Sequence, residues 1–409
     1  MAYTICVIPG DGIGREVVPA AIEVLRATGL DLRFHFAEAG WACFQELGTA
    51  LPDETVQAVR EADATLFGAV SSPTGRRVEG YRSPIVALRR GFHLYANLRP
   101  ARSWPLAGVR PGIDLLIVRE NTEDLYVQQE RLEGERAVAE RVITRQASER
   151  VARAACRLAM GRRRKLTIVH KANILPLTCG LFRDTVRQVA GEFPGLEVEE
   201  VLVDAMAMRL IRDPESFDVI VTTNMFGDIL SDEAAALCGG MGLAPSANLG
   251  DTAAVFEPVH GSAPDIAGKG IANPMAAILA ASMMLSYLGE AEAAGWLVQG
   301  VETALRRRVM TPDLGGQAST AQVTAVIRET VEALAAGRER DALERPAGGG
   351  AGHTGETWWA APYHELECAV GDGLVLEPLP AQGVPRPAAP GRRYVSNSSG
   401  DIFRRQAWL

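Results

Sequence analysis

The sequence predicts an α/β fold built on a mostly parallel sheet and divided into at least two domains. Short apolar segments typical of buried strands alternate with segments of helical spacing. The first three of these segments are the strand TICVIPG, a helix ending at Gly29 and the strand LRFHFAEAG. The chain of 409 residues is also too long for one ordinary core, so we expect two domains or more.

The composition is that of an ordinary globular protein, with 47% hydrophobic and 22% charged residues. A net charge of −8 without a basic stripe disfavours nucleic acid and anionic membranes as partners. The sequence shows no secretory signal and no run of the ~20 apolar residues that a membrane span needs. The six cysteines form no C-x-x-C pair, which is typical of free thiols in a reducing cytoplasm. We therefore expect a cytoplasmic protein.

The turn after the first strand, GDGIG, contains three glycines in the spacing G-x-G-x-G. This spacing does not match the G-x-G-x-x-G of a standard Rossmann phosphate loop. The glycines instead predict a tight strand-to-helix turn. The segments PDETVQAVREA and ATLFGAV then add a helix and a third strand.

Three arginines come at the ends of apolar segments. Pro84 opens a short helix that brings Arg89 near its end, Arg99 is expected to follow the strand LYANL, and Arg119 ends the strand DLLIVR. One such arginine is usually an ordinary surface residue. Three of them indicate a cluster for a polyanionic ligand, because guanidinium groups bind carboxylates bidentately and stay charged.

Polar residues also follow the middle strands. Tyr126 lies in a turn after the strand of Arg119, and Lys171 follows the strand KLTIVH. Asp204 is expected at the exit of a strand in LEVEEVLVDAMAM. A lysine at a strand end is often merely solvated, but in a partly dry site its pKa can fall far enough for base chemistry.

The segment FDVIVTTNMFGDILSD, which ends at Asp232, is predicted as a buried strand, a turn and a helix after Gly227. Asp228 and Asp232 are four residues apart and share one helix face, where like charges repel. Two acids on a solvated helix are the alternative reading. The position at a strand-to-helix turn, where α/β proteins bind ligands, favours a site for Mg²⁺ or Mn²⁺.

The last part of the chain changes character twice. The glycine- and proline-rich residues 238–273 are predicted as a long loop, and Asn273 as the cap of the following helix. A final helix is expected over Ala321–Ala336. Residues 337–409 are of low complexity and are predicted to be disordered.

Six motifs resemble one enzyme family: GDGIG, LYANLRP, VRENTEDLY, HKANIL, GDILSD and EPVHGSAPDIAGKGIANP. From residue 1 to about 335 the chain resembles the β-decarboxylating dehydrogenases of 3-substituted malates, which include isocitrate, isopropylmalate and homoisocitrate dehydrogenases. The resemblance implies two α/β domains with a central cleft rather than a standard Rossmann fold. The large nucleotide-binding domain would comprise 1–98 plus 247–336. The small domain, 99–246, would carry the metal site and a dimer interface.

The resemblance also implies roles for these residues. The malate carboxylates would be held by Arg89, Arg99 and Arg119, with Ser83 nearby, and Mg²⁺ or Mn²⁺ by Asp204, Asp228 and Asp232. Lys171 would be the base that takes the hydroxyl proton, and Tyr126 the acid that protonates carbon after CO₂ leaves. The family forms homodimers or dimers of dimers with shared active sites, so Lys171 and Asp204 would come from the neighbouring subunit. K⁺ is a further candidate cofactor.

The resemblance further implies that NAD is the cofactor. Asp265 stands where NAD-dependent members bind the adenine ribose, and NADP-dependent relatives replace Asp265-Ile266 by a basic or aromatic pair. The remaining implied cofactor residues are Glu257, His260, Gly261, Ser262, Ala263, Asn273 and Asn173.

The substrate prediction depends on SPIVALRR, which most resembles the family branch acting on homoisocitrate in lysine biosynthesis by the α-aminoadipate route. The methylenes of a longer side arm would lie on Ile85 and Val86, with Ser83 near its terminal carboxylate. Isopropylmalate and then isocitrate are the alternatives. A non-catalytic regulatory subunit and a nucleotide-binding module without chemistry are two others, although all the acid, base and metal positions are present. Ala205 departs from the asparagine of several relatives.

Overall fold

The computed structural model describes residues 2–73 and 78–344, with side chains up to residue 337. Most of the predicted disordered tail, from residue 345 onward, lies outside the described residues. No helix among the described residues is long and apolar enough to span a membrane.

The described residues form twelve strands: β1 Ala2–Gly10, β2 Asp31–Phe36, β3 Ala64–Ala69, β4 Ala96–Arg102, β5 Asp114–Glu120, β6 Glu130–Glu133, β7 Arg136–Ala139, β8 Lys165–His170, β9 Glu197–Leu202, β10 Val219–Thr222, β11 Pro245–Leu249 and β12 Ala254–Pro258. The same residues form eleven α-helices: α1 Gly14–Arg26, α2 Trp41–Leu47, α3 Asp53–Glu61, α4 Pro84–Gly91, α5 Arg145–Met160, α6 Thr178–Ala190, α7 Val203–Arg212, α8 Asn224–Leu237, α9 Met275–Tyr287, α10 Ala291–Arg306 and α11 Thr320–Glu344.

Ten of these strands form one sheet in the order β2-β1-β3-β12-β11-β4-β5-β10-β8-β9, and β6 and β7 form a separate hairpin. The outer pairings are parallel, whereas the pairs β12-β11, β11-β4 and β4-β5 in the middle are antiparallel. The α/β fold with a mostly parallel sheet is therefore confirmed. The domain boundaries expected near 99 and 247 fall on the neighbouring strands β4 and β11, and the division itself stays a prediction.

The core follows from the apolar sequences of the central elements. Strands β5, β8 and β10 are buried along nearly their whole length, as expected for strands covered by helices on both faces. Helix α9 is buried from Met275 to Ser286, which explains why its sequence is apolar on every side. The site described below lies among the elements that meet this core at the middle of the sheet.

Three local predictions differ from the structure. Arg99 lies inside β4 rather than after it, and Pro100 is tolerated there because the pairing of β11 with β4 ends at Leu98. Strand β9 ends at Leu202, and Asp204, which was expected at the strand exit, lies in the first turn of α7. Helix α8 begins at Asn224, before Gly227.

The C-terminal part holds more regular structure than predicted. The glycine-rich stretch contains the antiparallel strands β11 and β12, whose turn at 250–253 obscures the strand pattern. Helix α11 continues to Glu344 instead of ending near Ala336, because residues 338–344 are mostly good helix formers.

Candidate active site

Three buried guanidinium groups converge at the middle of the sheet. They belong to Arg89 near the end of α4, Arg99 on β4 and Arg119 on β5, and these residues are only 8%, 9% and 1% exposed. Long basic side chains are rarely buried unless they are paired. A cluster of three therefore has to be stabilised by acidic or polar groups around it.

Helix α8 supplies two acids to this cluster. Nη1 of Arg119 donates to Asp228 Oδ1, and Nη1 of Arg99 lies 3.4 Å from the same oxygen. Nη1 of Arg99 also donates to Asp232 Oδ1 at 3.2 Å and to Ser231 Oγ at 2.8 Å. The side chains of Asp228 and Asp232 are still 36% and 42% exposed, so both carboxylates border the open side of the cluster.

The charges in the cluster shift one another's ionisation. Burial, together with the two neighbouring guanidiniums, lowers the pKa of Arg119 to about 10, so it remains protonated at neutral pH. Burial tends to raise the pKa of Asp228, but Arg119 and Arg99 outweigh it and hold that pKa below its ordinary value. Burial and the neighbouring Asp228 raise the pKa of Asp232 despite the nearby Arg99. Opposite charges thus keep Asp228 ionised in particular.

Tyr126 is drawn into the same cluster. Its hydroxyl donates to Asp228 Oδ2, and the Cζ atom of Arg119 lies 5.0 Å from the centre of its ring. Arg90 of α4 donates to the backbone carbonyl of Tyr126 and links the two segments. Burial and the bond to Asp228 raise the pKa of Tyr126. The phenol therefore keeps its proton at neutral pH and can serve as an acid.

Glu257, which the family resemblance implied as a cofactor contact, pairs with an arginine of the cluster, and its cofactor role stays a prediction. Its Oε1 accepts from Nη2 of Arg89 at 2.9 Å, and both side chains are 10% exposed. The same oxygen accepts from Asn248 Nδ2 at 2.8 Å. Glu257 on β12 therefore joins one end of the arginine cluster directly to the segment that leads to His260.

Lys171 and Asp204 form a pair of their own. Nζ of Lys171 donates to Asp204 Oδ1, and the Asp204 side chain is 66% exposed. Within the described part of a single chain, no three His, Cys, Asp or Glu residues lie close enough together to hold a metal ion. The three predicted metal ligands therefore do not meet inside one chain.

The segment 257–273 packs on the glycine turn after β1. Ser262 O accepts from the backbone N–H of Ile13 at 2.9 Å, and a Cβ on Gly12 would lie 2.1 Å from this carbonyl oxygen. Gly12 also has a φ of +55°. This glycine is therefore required both by its backbone conformation and by the close approach of the loop.

The side chains of this loop divide into structural and accessible groups. Asn273 is buried, donates to Asp313 Oδ2 at 3.0 Å and accepts from Met275 N at 3.0 Å, but the N-cap of α9 is Pro274 rather than the predicted Asn273. His260 has a lowered pKa because of burial, and its Nε2 has no partner among the described residues. The other predicted cofactor residues are the exposed Gly261, Asp265 and Asn173, the half-buried Ala263 and Ile266, and the buried Ser262.

Ser83 lies at the N-cap of α4 but makes no capping hydrogen bond with its side chain. Ile85 and Val86 follow it on the first turn and are half-buried. Val86 precedes Arg89 by three residues, so the two share one side of the helix.

Four polar residues of the cluster were missed by the sequence reasoning: Asn97, Asn224, Ser231 and Asn248. Only Asn97 carried a usable signal. It precedes Arg99 by two residues on a strand and must share its face. The contacts of the other three depend on the tertiary structure.

Comparison with known proteins identifies this chain as a β-decarboxylating dehydrogenase. Residues 4–331 match the isocitrate/isopropylmalate dehydrogenase family, and the chain belongs to that family.

Individual relatives carry different substrate names. An isocitrate/homoisocitrate dehydrogenase of Thermus thermophilus is 61% identical over 335 residues, which are 82% of this chain and 100% of the relative. A 3-isopropylmalate dehydrogenase of Methanothermobacter thermautotrophicus is 52% identical over 330 residues, 80% of this chain and 98% of the relative. The crystal structure of isocitrate dehydrogenase from Methylococcus capsulatus superposes with a TM-score of 0.77 at 44% identity. The superposition covers 81% of this chain and 99% of the Methylococcus capsulatus chain.

Proposed function

We propose that this protein oxidises homoisocitrate with NAD and decarboxylates it to 2-oxoadipate, in lysine biosynthesis by the α-aminoadipate route. The observation that carries the proposal is the convergence of Arg89, Arg99 and Arg119 on the acids of α8 and on Tyr126. Isopropylmalate remains the second candidate substrate, because one relative at 52% identity is named for it.

The arginine cluster fits a small tricarboxylate. Three guanidiniums face the three carboxylates of Asp228, Asp232 and Glu257, and a cation held by the two partly open α8 acids would leave positive charge for an organic anion. Each guanidinium offers planar paired donors that match a carboxylate. An organic polyanion bound here would replace solvent at the open side of the cluster.

Helix α4 supports a substrate with an extended side arm. Ile85 and Val86 offer half-buried apolar surface on the first turn of α4, and the Ser83 hydroxyl is not used for capping. Methylenes on the apolar pair and a terminal carboxylate near Ser83 describe homoisocitrate better than isopropylmalate, whose arm is a branched alkyl group. One methylene is worth only about 1–3 kcal/mol, so side activity on the shorter acids is expected.

The residues of α8 suit a hard divalent cation. Asp228 and Asp232 present carboxylate oxygens one turn apart on partly open side chains, which are the ligands that Mg²⁺ and Mn²⁺ prefer. When bound, the cation supplies Lewis-acid stabilisation of charge on the substrate oxygen, and NAD accepts the hydride. Lys171 would remove the hydroxyl proton, and Tyr126 would return a proton to carbon after CO₂ departs.

A second copy of the chain would bring Lys171 and Asp204 to this site. Around Asp204 and Asp228, α7 and α8 expose apolar side chains: Met208 is 52%, Ile211 60% and Ile229 59% exposed. Such a group of exposed residues is typical of a protein interface. A symmetric dimer through α7 and α8 would cover them and complete the ligand set that one described chain lacks.

The cofactor assignment rests on the loop after β12. Asp265 is exposed, so its carboxylate is accessible to a ribose and would repel a 2′-phosphate. Nδ1 of His260 lies 3.0 Å from Gly261 O, and its buried Nε2 has no partner among the described residues. The exposed carboxylate of Asp265 is therefore the observation that supports NAD over NADP.

The test is to measure kcat/KM of the purified chain for homoisocitrate, isopropylmalate and isocitrate, with Mg²⁺, K⁺ and NAD present. We expect homoisocitrate to give the highest value, and a chelator to abolish turnover of all three. A higher value for isopropylmalate would reject the substrate assignment. Binding of NAD without turnover of any of the three acids would instead support a regulatory subunit or a nucleotide-binding module.

A further inference from the structure

The three arginines of the site share an anchoring contact that their charges do not require. In each of them Nε donates to the side-chain oxygen of an asparagine: Arg89 to Asn248 at 2.9 Å, Arg99 to Asn97 at 2.8 Å and Arg119 to Asn224 at 2.9 Å. The three asparagines are at most 1% exposed. The acidic residues of the site contact only the Nη groups.

The asparagines are themselves fixed by the sheet and by α8. Asn97 pairs with Asn248 across β4 and β11 and with Arg119 across β4 and β5, so these residues lie in one row on one face. Nδ2 of Asn97 donates to Asn248 Oδ1 at 3.0 Å, and Nδ2 of Asn224 donates to the carbonyl of Glu123 at 3.2 Å. Because these amide nitrogens face acceptors, their oxygens must face the guanidiniums.

A neutral amide suits this position better than a carboxylate. A guanidinium carries five donors in a rigid fork, so fixing Nε sets the direction of both Nη groups. A carboxylate at the same place would also neutralise the positive charge of the guanidinium from its Nε side. An amide accepts the hydrogen bond without adding a negative charge, so the positive charge stays available for a ligand at the Nη groups.

We propose that Asn97, Asn224 and Asn248 are positioning residues that aim the three guanidiniums at the substrate carboxylates without neutralising them. The inference rests on the proposed function, since it assigns a task to the same anion site. The asparagines touch no substrate themselves and act through the arginines.

The test measures binding of malate, as the shared core of the substrate class, by calorimetry in the presence of Mg²⁺. Asn97→Ala and Asn224→Ala are each expected to weaken malate binding about tenfold, the effect of losing one hydrogen bond to a charged group. NAD affinity should stay within about twofold, because neither side chain contacts the loop after β12. In steady state the KM for the acid should rise much more than kcat falls.

Asn121 provides a matched control. Its buried Nδ2 donates to Asn248 Oδ1 and to Leu94 O, both at 3.0 Å, so it belongs to the same network without holding an arginine. Asn121→Ala should lower the melting temperature as much as Asn97→Ala but retain malate binding within about threefold. Equal losses of malate affinity in the two variants would overturn the proposal in favour of general packing.

A further substitution at position 97 tests the effect of charge. Asn97→Asp keeps an oxygen for Nε of Arg99 but adds a negative charge, and it should weaken malate binding at least as much as Asn97→Ala. Wild-type affinity in Asn97→Asp would overturn the proposal. If Asn97→Ala loses its thermal transition, the comparison is made with Asn224→Ala, whose side chain lies on α8 outside the sheet. A wild-type protein that binds no malate would reject the proposed function instead.

Discussion

The side-chain stem of Arg119 lies directly against the backbone of Gly227. A Cβ added to Gly227 would lie 2.6 Å from Cγ and 2.7 Å from Cβ of Arg119. These atoms are the rigid base of the arginine rather than its mobile end, so they have little room to move away. The glycine of GDILSD thus allows α8 to bring Asp228 within reach of the Arg119 guanidinium.

The first prediction concerns this contact. Gly227→Ala should lower the free energy of unfolding by about 1–3 kcal/mol through overpacking, although alanine is the better helix former. The KM for the acid should rise because Arg119 is displaced. The control is Gly295→Ala on α10, where a Cβ would meet nothing within 4 Å. It should stabilise the protein by roughly 0.5–1 kcal/mol and leave KM unchanged. Unfolding in urea and steady-state kinetics measure both effects.

The second prediction tests whether two chains share the active site. Asp228→Asn and Lys171→Met should each be inactive alone. In a symmetric dimer with shared sites, co-expression should restore about a quarter of wild-type activity, because half of the dimers are mixed and one of their two sites is intact. A mixture as inactive as its components would show that Lys171 and Asp228 act within one chain. Ile229→Lys should abolish both the dimer and the restored activity, as judged by light scattering.

The third prediction concerns cofactor choice. Asp265→Lys should lower kcat/KM for NAD and raise it for NADP, because a carboxylate that repels a 2′-phosphate is replaced by an ammonium group that attracts it. The wild-type chain should use NAD almost exclusively. Asp31→Lys on the distant strand β2 makes the same charge change and should leave the ratio unaltered. Comparable use of NAD and NADP by the wild-type protein would refute the role of Asp265.

The fourth prediction follows from the buried carboxyl group of Glu123. Burial raises the pKa of Glu123 to about 7, even though the carboxylate accepts from the backbone N–H and the hydroxyl of Thr144. Since the folded pKa lies above the unfolded value, the folded state binds more protons between the two values. The contribution of Glu123 to the free energy of unfolding should therefore be largest below the unfolded pKa and fall as pH rises through about 7, by roughly 1–3 kcal/mol.

Glu123→Gln should remove most of that decrease, because an amide can keep both contacts with Thr144 without ionising. Urea unfolding between pH 5 and 8 gives the comparison, with the exposed Glu329→Gln as control. Parallel pH profiles in wild type and Glu123→Gln would contradict the prediction.

The elements that carry Asp228, Asp232, Arg89 and Arg119 could be predicted from the sequence because each is a local pattern. A four-residue spacing places Asp228 and Asp232 on one helix face, and the apolar segments before Arg89 and Arg119 predicted a helix and a strand that the structure contains. Arg99 was placed beyond its strand because Pro100 normally ends one. The sequence could not show that the pairing of β11 with β4 stops two residues earlier.

The sequence by itself determined the α/β alternation and the residue types available to bind an anion and a cation, since helix and strand periods are local properties. Only the tertiary structure decided which of these groups meet. The contact of Asn248 with Arg89, of Glu257 with Arg89 and of Gly227 with Arg119 each joins residues more than a hundred positions apart. Such contacts depend on strand order and register in a folded sheet, which no local spacing encodes.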